Sequence, residues 1–191
     1  MTQRWPVMLG FFAGVAAVAA GLSQGASTVE GWQLAARWSA MLGFALLLIT
    51  YSASSLARLW RGATTQALLR QRRWWGLGFA ACHTAHLVAL VTFLRLSGEA
   101  RPMPILLFAG GAYATMYAMA LTSSDRAMRA LGRNWKRLHT LGIHWLWLIF
   151  LASYASRLFK PEQLVSGVLG TSLALGALAL RIAARRKARR A

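Results

Sequence analysis

The chain has 191 residues, of which 57% are hydrophobic, and a mean hydropathy of +0.45. Its net charge is +18, from 22 Lys and Arg against 4 Asp and Glu, and Cys82 is its single cysteine. One cysteine excludes an intramolecular disulfide and a cysteine metal cluster. The basic excess would suit nucleic acid in a soluble chain, but these cations fall between apolar blocks, where membrane topology places them, so no nucleic acid partner is expected.

The apolar blocks run about 18–22 residues each, enough to cross the ~30 Å hydrocarbon core at ~1.5 Å per residue. Six spans are predicted, at 5–22, 38–57, 74–94, 103–122, 140–158 and 163–183. The expected fold is all-α, an integral membrane six-helix transmembrane bundle forming one domain over 1–191. Span one follows Arg4 and resembles a signal peptide, but its run is long for a signal core and its removal would leave an odd number of spans. An uncleaved helix is expected. Its Gly10-x-x-x-Gly14 permits close helix contact. The loop "SQGASTVEGWQLAARW" is expected to hold a short interfacial turn.

Arg58, Arg61, Arg70, Arg72 and Arg73 lie between spans two and three. Pro102, in "EARPMP", suits the start of span four, since it has no amide hydrogen to leave unpaired. "TSSDRAMRALGRNWKRL" reads as a short amphipathic segment capped by Ser123 or Ser124. Alternate sides of the six spans hold 17 and 5 positive charges, which predicts both termini in the cytoplasm. The tail "RIAARRKARRA" reads as an anchor on anionic membrane lipid. The protein is thus expected to be multi-pass in a bacterial inner (cytoplasmic) membrane.

All four histidines fall where charge gives way to apolar sequence: His83 and His86 on span three, His139 and His144 at span five. A polar side chain in hydrocarbon must be paired, coordinated or near the surface. His139 follows Arg137 closely and suits the interface. His86 lies ~18 Å past Trp74, too deep to reach it, and His83 shares its helix face at i, i+3. Their partner is open between a hydroxyl such as Thr115 or Thr122, a backbone carbonyl, a water, and a metal or haem iron.

"RRWWGLGFAACHTAH" and "LTSSDRAMRALGRNWKRLH" resemble the ferric-reductase-like transmembrane family, and within it the MsrQ-like haem-binding subunits of periplasmic methionine sulfoxide reductase systems. The residues that carry this are Arg72, Arg73, Gly76, Leu77 and His86, then Thr122, Ser123, Leu131, Gly132, Trp135, Arg137, Leu138 and His139. The resemblance implies haem b and electron transfer across the membrane, with His86 and His139 as axial ligands of haem iron. The family's full pattern has two histidines on each of spans three and five. Here Arg72 and Ala152 stand at two of those four places, which implies one haem rather than two, with Arg72 near its propionates. His86 and His139 differ in depth by ~15 Å or more, so they are not expected to share one iron. Depth instead favours His83 with His144.

The sequence contains no nucleotide-binding motif, so a separate electron donor or a membrane quinol is expected, with flavin or quinone as further cofactor candidates and a periplasmic oxidoreductase or larger membrane complex as partner. The alternative is a haem-free structural or assembly subunit that keeps the bundle.

Overall fold

In the computed structural model, which describes residues 4–190, seven α-helices follow in order. They are α1 (Trp5–Gln24), α2 (Thr28–Leu59), α3 (Ala63–Ser97), α4 (Met103–Leu121), α5 (Asp125–Leu131), α6 (Arg133–Ala155) and α7 (Leu164–Arg190). Two 3-10 turns, Ser156–Phe159 and Pro161–Gln163, join α6 to α7. Six helices, all but α5, are long and apolar enough to cross a membrane. Their outer faces are apolar: Phe12 is 59% exposed, Leu107 68% and Val165 75%, as lipid-facing side chains should be.

The ends of the helices follow local chemistry rather than hydropathy. The turn expected after span one is instead the first part of α2. Ser27 Oγ accepts from Glu30 N–H (3.2 Å), and the Glu30 carboxylate accepts from Ala26 N–H (3.0 Å). This reciprocal capping starts the helix about ten residues before the apolar run. The short segment is α5, capped by Ser124, whose hydroxyl accepts from Ala127 N–H (3.1 Å). Gly132, at φ +48°, then joins α5 to α6 in a conformation that side chains disfavour. The Pro102 carbonyl accepts from Ile105 N–H (3.0 Å), so the proline does lead into α4.

The helices divide into two compact units. The first comprises Met1–Leu47 and Arg73–Gly110, so it contains α1, most of α2 and α3, and the start of α4. Its backbones approach closely. A Cβ on Gly10 would strike the Gly78 carbonyl, one on Gly21 the backbone of Ala35, and one on Gly14 would lie 3.0 Å from the Cys82 Cα. Ala35, Ala36 and Ala89 form a buried cluster between these helices. Small residues let helix backbones meet where lipid supplies no hydrophobic drive.

The second unit comprises Leu48–Arg72 and Gly111–Ala191. It is joined by long side chains. Trp147 Nε1 donates to the Ala174 carbonyl (2.9 Å), tying α6 to α7. Of its close-packed glycines, Gly111 faces the Trp145 ring, Gly142 faces Met119 and Thr115, and Gly170 faces the Tyr154 ring, while Gly167 meets the backbone of Arg157 and Leu158.

Candidate functional site

In the first unit, His83 and His86 share one face of α3. Their rings stack at 4.6 Å between centroids, 29° apart, and Phe79 stacks on His83 at 5.1 Å. His83 is buried against α2, where a Cβ on Gly43 would lie 2.8 Å from its Nδ1. His86 Nδ1 lies 2.9 Å from the Ala36 carbonyl and 3.3 Å from Ser39 Oγ. A carbonyl can only accept, so Nδ1 carries the proton. The Ser39 hydrogen is directed to the Ala35 carbonyl (2.6 Å), so that hydroxyl also presents a lone pair to His86. The lone pair of the His86 imidazole is therefore on Nε2. This is how an imidazole is oriented for a metal: one nitrogen anchored on a carbonyl, the other left basic. The stacked pair cannot itself be the two axial ligands of one haem, because no porphyrin plane fits between rings in contact.

In the second unit the imidazoles lie among cations. His139 Nε2 is 3.2 Å from Thr122 Oγ1, and that hydroxyl donates to the Ala118 carbonyl (2.7 Å). Thr122 therefore accepts from Nε2–H, which places the His139 lone pair on Nδ1. Trp135 stacks on His139 at 4.1 Å and donates from Nε1 to the Thr122 carbonyl (2.9 Å). Arg72 is within electrostatic reach of His139; its Nε donates to the Thr50 carbonyl (3.1 Å), which keeps both Nη groups for other acceptors. His144 Nδ1 lies 2.6 Å from the Thr140 carbonyl, so its lone pair is also on Nε2. Its ring meets Tyr51 edge-on at 5.6 Å. Tyr51 is fully buried, stacks on Trp147 at 6.1 Å and carries the Arg181 guanidinium 4.6 Å above its ring. Its hydroxyl has no hydrogen-bond partner among the described residues.

The residues expected from sequence thus fall into two groups, His83 with His86 and Arg72 with His139 and His144. The hydroxyl beside His86 is Ser39, while Thr122, one of the hydroxyls expected there, meets His139, and Thr115, the other, donates to the Gly111 carbonyl. Sequence also missed Ala36, Gly43, Tyr51 and Arg181. Their signal was weak: Ser39 is one of several small polar residues on α2, with Thr50, Ser52 and Ser55, all buried. Ala152, where the family pattern would have a histidine, is exposed.

Among the curated relatives that match the chain, three are each described as the haem-binding subunit MsrQ of protein-methionine-sulfoxide reductase. The relative from Cronobacter sakazakii is 33% identical over 123 residues, 56% of this chain and 60% of its own length. That from Enterobacter sp. is 28% identical over 174 residues, 83% and 80%. That from Klebsiella pneumoniae is 30% identical over 142 residues, 66% and 65%. The chain is similar to these MsrQ subunits. The match spans less than two thirds of the first relative's length. No family model and no solved structure matches the chain. In this chain the two motifs that carry the resemblance end at His86 and His139, one in each unit.

Proposed function

We propose that the chain is a b-type haem-binding electron-transfer protein of the bacterial inner membrane, with both termini cytoplasmic. It takes electrons from a separate cytoplasmic or quinol donor and passes them to an outer-face acceptor, a periplasmic oxidoreductase. The observation that carries this is the orientation of His86, with Nδ1 held by the Ala36 carbonyl and Nε2 left basic. The similarity to MsrQ subunits supports it.

The residues fit a haem in donor chemistry. Haem supplies four of its iron's ligands and asks the protein for one or two, so single imidazoles suffice. When bound it supplies the one-electron chemistry, and the protein orients and insulates it. His86 offers Nε2 in apolar surroundings. Arg72 has Nη groups for a carboxylate, and the buried Tyr51 hydroxyl is left for a ligand's polar group. Among the imidazoles of the second unit, the resemblance favours His139 as a haem ligand and the tautomer favours His144, since Thr122 engages His139 Nε2. The 17 to 5 division of positive charge supports the topology.

A second reading, a haem-free packing subunit, is favoured by one fact: the imidazoles have partners within the protein, among them Ala36 for His86, Thr122 for His139 and Thr140 for His144. Purification from haem-replete cells separates the two. The electron-transfer reading expects a Soret band that shifts on dithionite reduction, mostly lost in His86→Ala and better retained in His144→Ala. A colourless wild-type protein would leave the packing reading, and equal retention in both variants would remove His86 from the site.

A further inference from the structure

We propose that a cavity of about 670 Å³ at the C-terminal end of α2, the start of α3 and the C-terminal part of α7 binds the phosphate headgroup of an anionic phospholipid, with Arg58, Arg61 and Lys187 as its cationic lining. The volume is in the range of small-ligand sites. Its walls are fixed by hydrogen bonds: Lys187 Nζ donates to the Leu59 carbonyl (3.2 Å) and Gln66 Nε2 to the Ala57 carbonyl (3.5 Å). The first of these fills an acceptor that the end of α2 leaves open.

Three cations line one cavity, yet no Asp or Glu occurs anywhere in 31–98 or 163–191, the stretches that build it. Like charges gathered without a counterion repel, so the site is complementary to an anion from outside the chain. Two features select a lipid over a soluble phosphate. Ala57 and Leu69 supply an apolar wall beside the cations, suited to the glycerol and upper acyl carbons. Trp60, between Arg58 and Arg61, is 57% exposed, and an exposed tryptophan at the end of a membrane helix belongs in the headgroup layer. Basic pockets between membrane helices are suited to anionic headgroups. This inference stands apart from the haem reading, because none of these residues belongs to the imidazole groups.

The test titrates phosphatidylglycerol into the detergent-solubilised full chain and counts bound lipid by native mass spectrometry. Phosphatidylcholine is the control, and sn-glycerol 3-phosphate is the soluble headgroup. Circular dichroism checks that each variant is folded. Arg58→Gln with Arg61→Gln should weaken phosphatidylglycerol binding roughly thirtyfold, at about a fivefold factor per cation. Arg189→Gln with Arg190→Gln removes the same charge outside the cavity and should change binding less than about twofold. Lys replacements at 58 and 61 should restore most of it, and Lys187→Gln, on a different helix, gives an independent loss. Equal weakening by the two double variants would mean diffuse attraction and overturn the site. So would phosphatidylcholine binding as well as phosphatidylglycerol, or glycerol 3-phosphate binding as tightly as the lipid.

Discussion

In the first unit the tightest glycine contacts are with main chain; in the second most are with side chains. In the first, glycines on α1 meet the main chain of α2 and α3, and His86 is oriented by the Ala36 carbonyl. In the second, Arg72, Arg181 and Trp147 reach across to the carbonyls of Thr50, Tyr51 and Ala174. The difference bears on function. An imidazole anchored to a close-packed main chain has little freedom to move, which suits a fixed metal ligand. Groups carried on arginine and tryptophan side chains can adjust, and the positive charge that the arginines bring suits an anionic group.

The largest effect that could break this comparison is a methyl group placed between backbones. Gly10→Ala should cost about 3 kcal/mol, because the Gly78 carbonyl cannot give way, whereas Gly142→Ala should cost less, about 1–2 kcal/mol, since it meets the Met119 and Thr115 side chains rather than main chain. Unfolding in mild detergent with added SDS measures both, and equal costs would erase the distinction. Next comes Arg181→Gln, which removes the cation above Tyr51 and shortens the reach to the Tyr51 carbonyl. It should cost about 1–2 kcal/mol in the same assay. A null result would show that the second unit does not depend on that arginine. The smallest effect is expected for Ser39→Ala, about 0.5 kcal/mol or less, because His86 keeps its carbonyl partner. If Ser39→Ala lost as much haem as His86→Ala, the serine rather than the carbonyl would be the orienting group.

Six membrane-length helices were legible because hydrocarbon demands long apolar runs, and that demand is written residue by residue. The early start of α2 was legible too, in Ser27-Thr28-Val29-Glu30, but the polar composition of the stretch suggested a loop. The histidines were legible as a problem and not as a solution. Which nitrogen of His86 is basic depends on Ala36, 50 positions away, and therefore on the rotation of α2 against α3. No periodicity in either helix fixes that rotation. Thr122 was rightly named as a hydroxyl near an imidazole but assigned to the wrong one, for the same reason. Arg58, Arg61 and Lys187 read as ordinary topology charges, because their convergence is a property of packing.

The six long helices are of unequal length, and this gives the protein a preferred bilayer. Helix α1 has 20 residues and α4 has 19, each ~30 Å at ~1.5 Å per residue, with almost nothing to spare across a ~30 Å hydrocarbon core. Helices α2 and α3, with 32 and 35 residues, can tilt or project without exposing apolar surface to water. Hydrophobic mismatch is therefore felt first by the two shortest helices. In a thicker membrane their ends fall below the headgroups, and the bilayer must thin around α1 and α4 before any other part of the protein is disturbed.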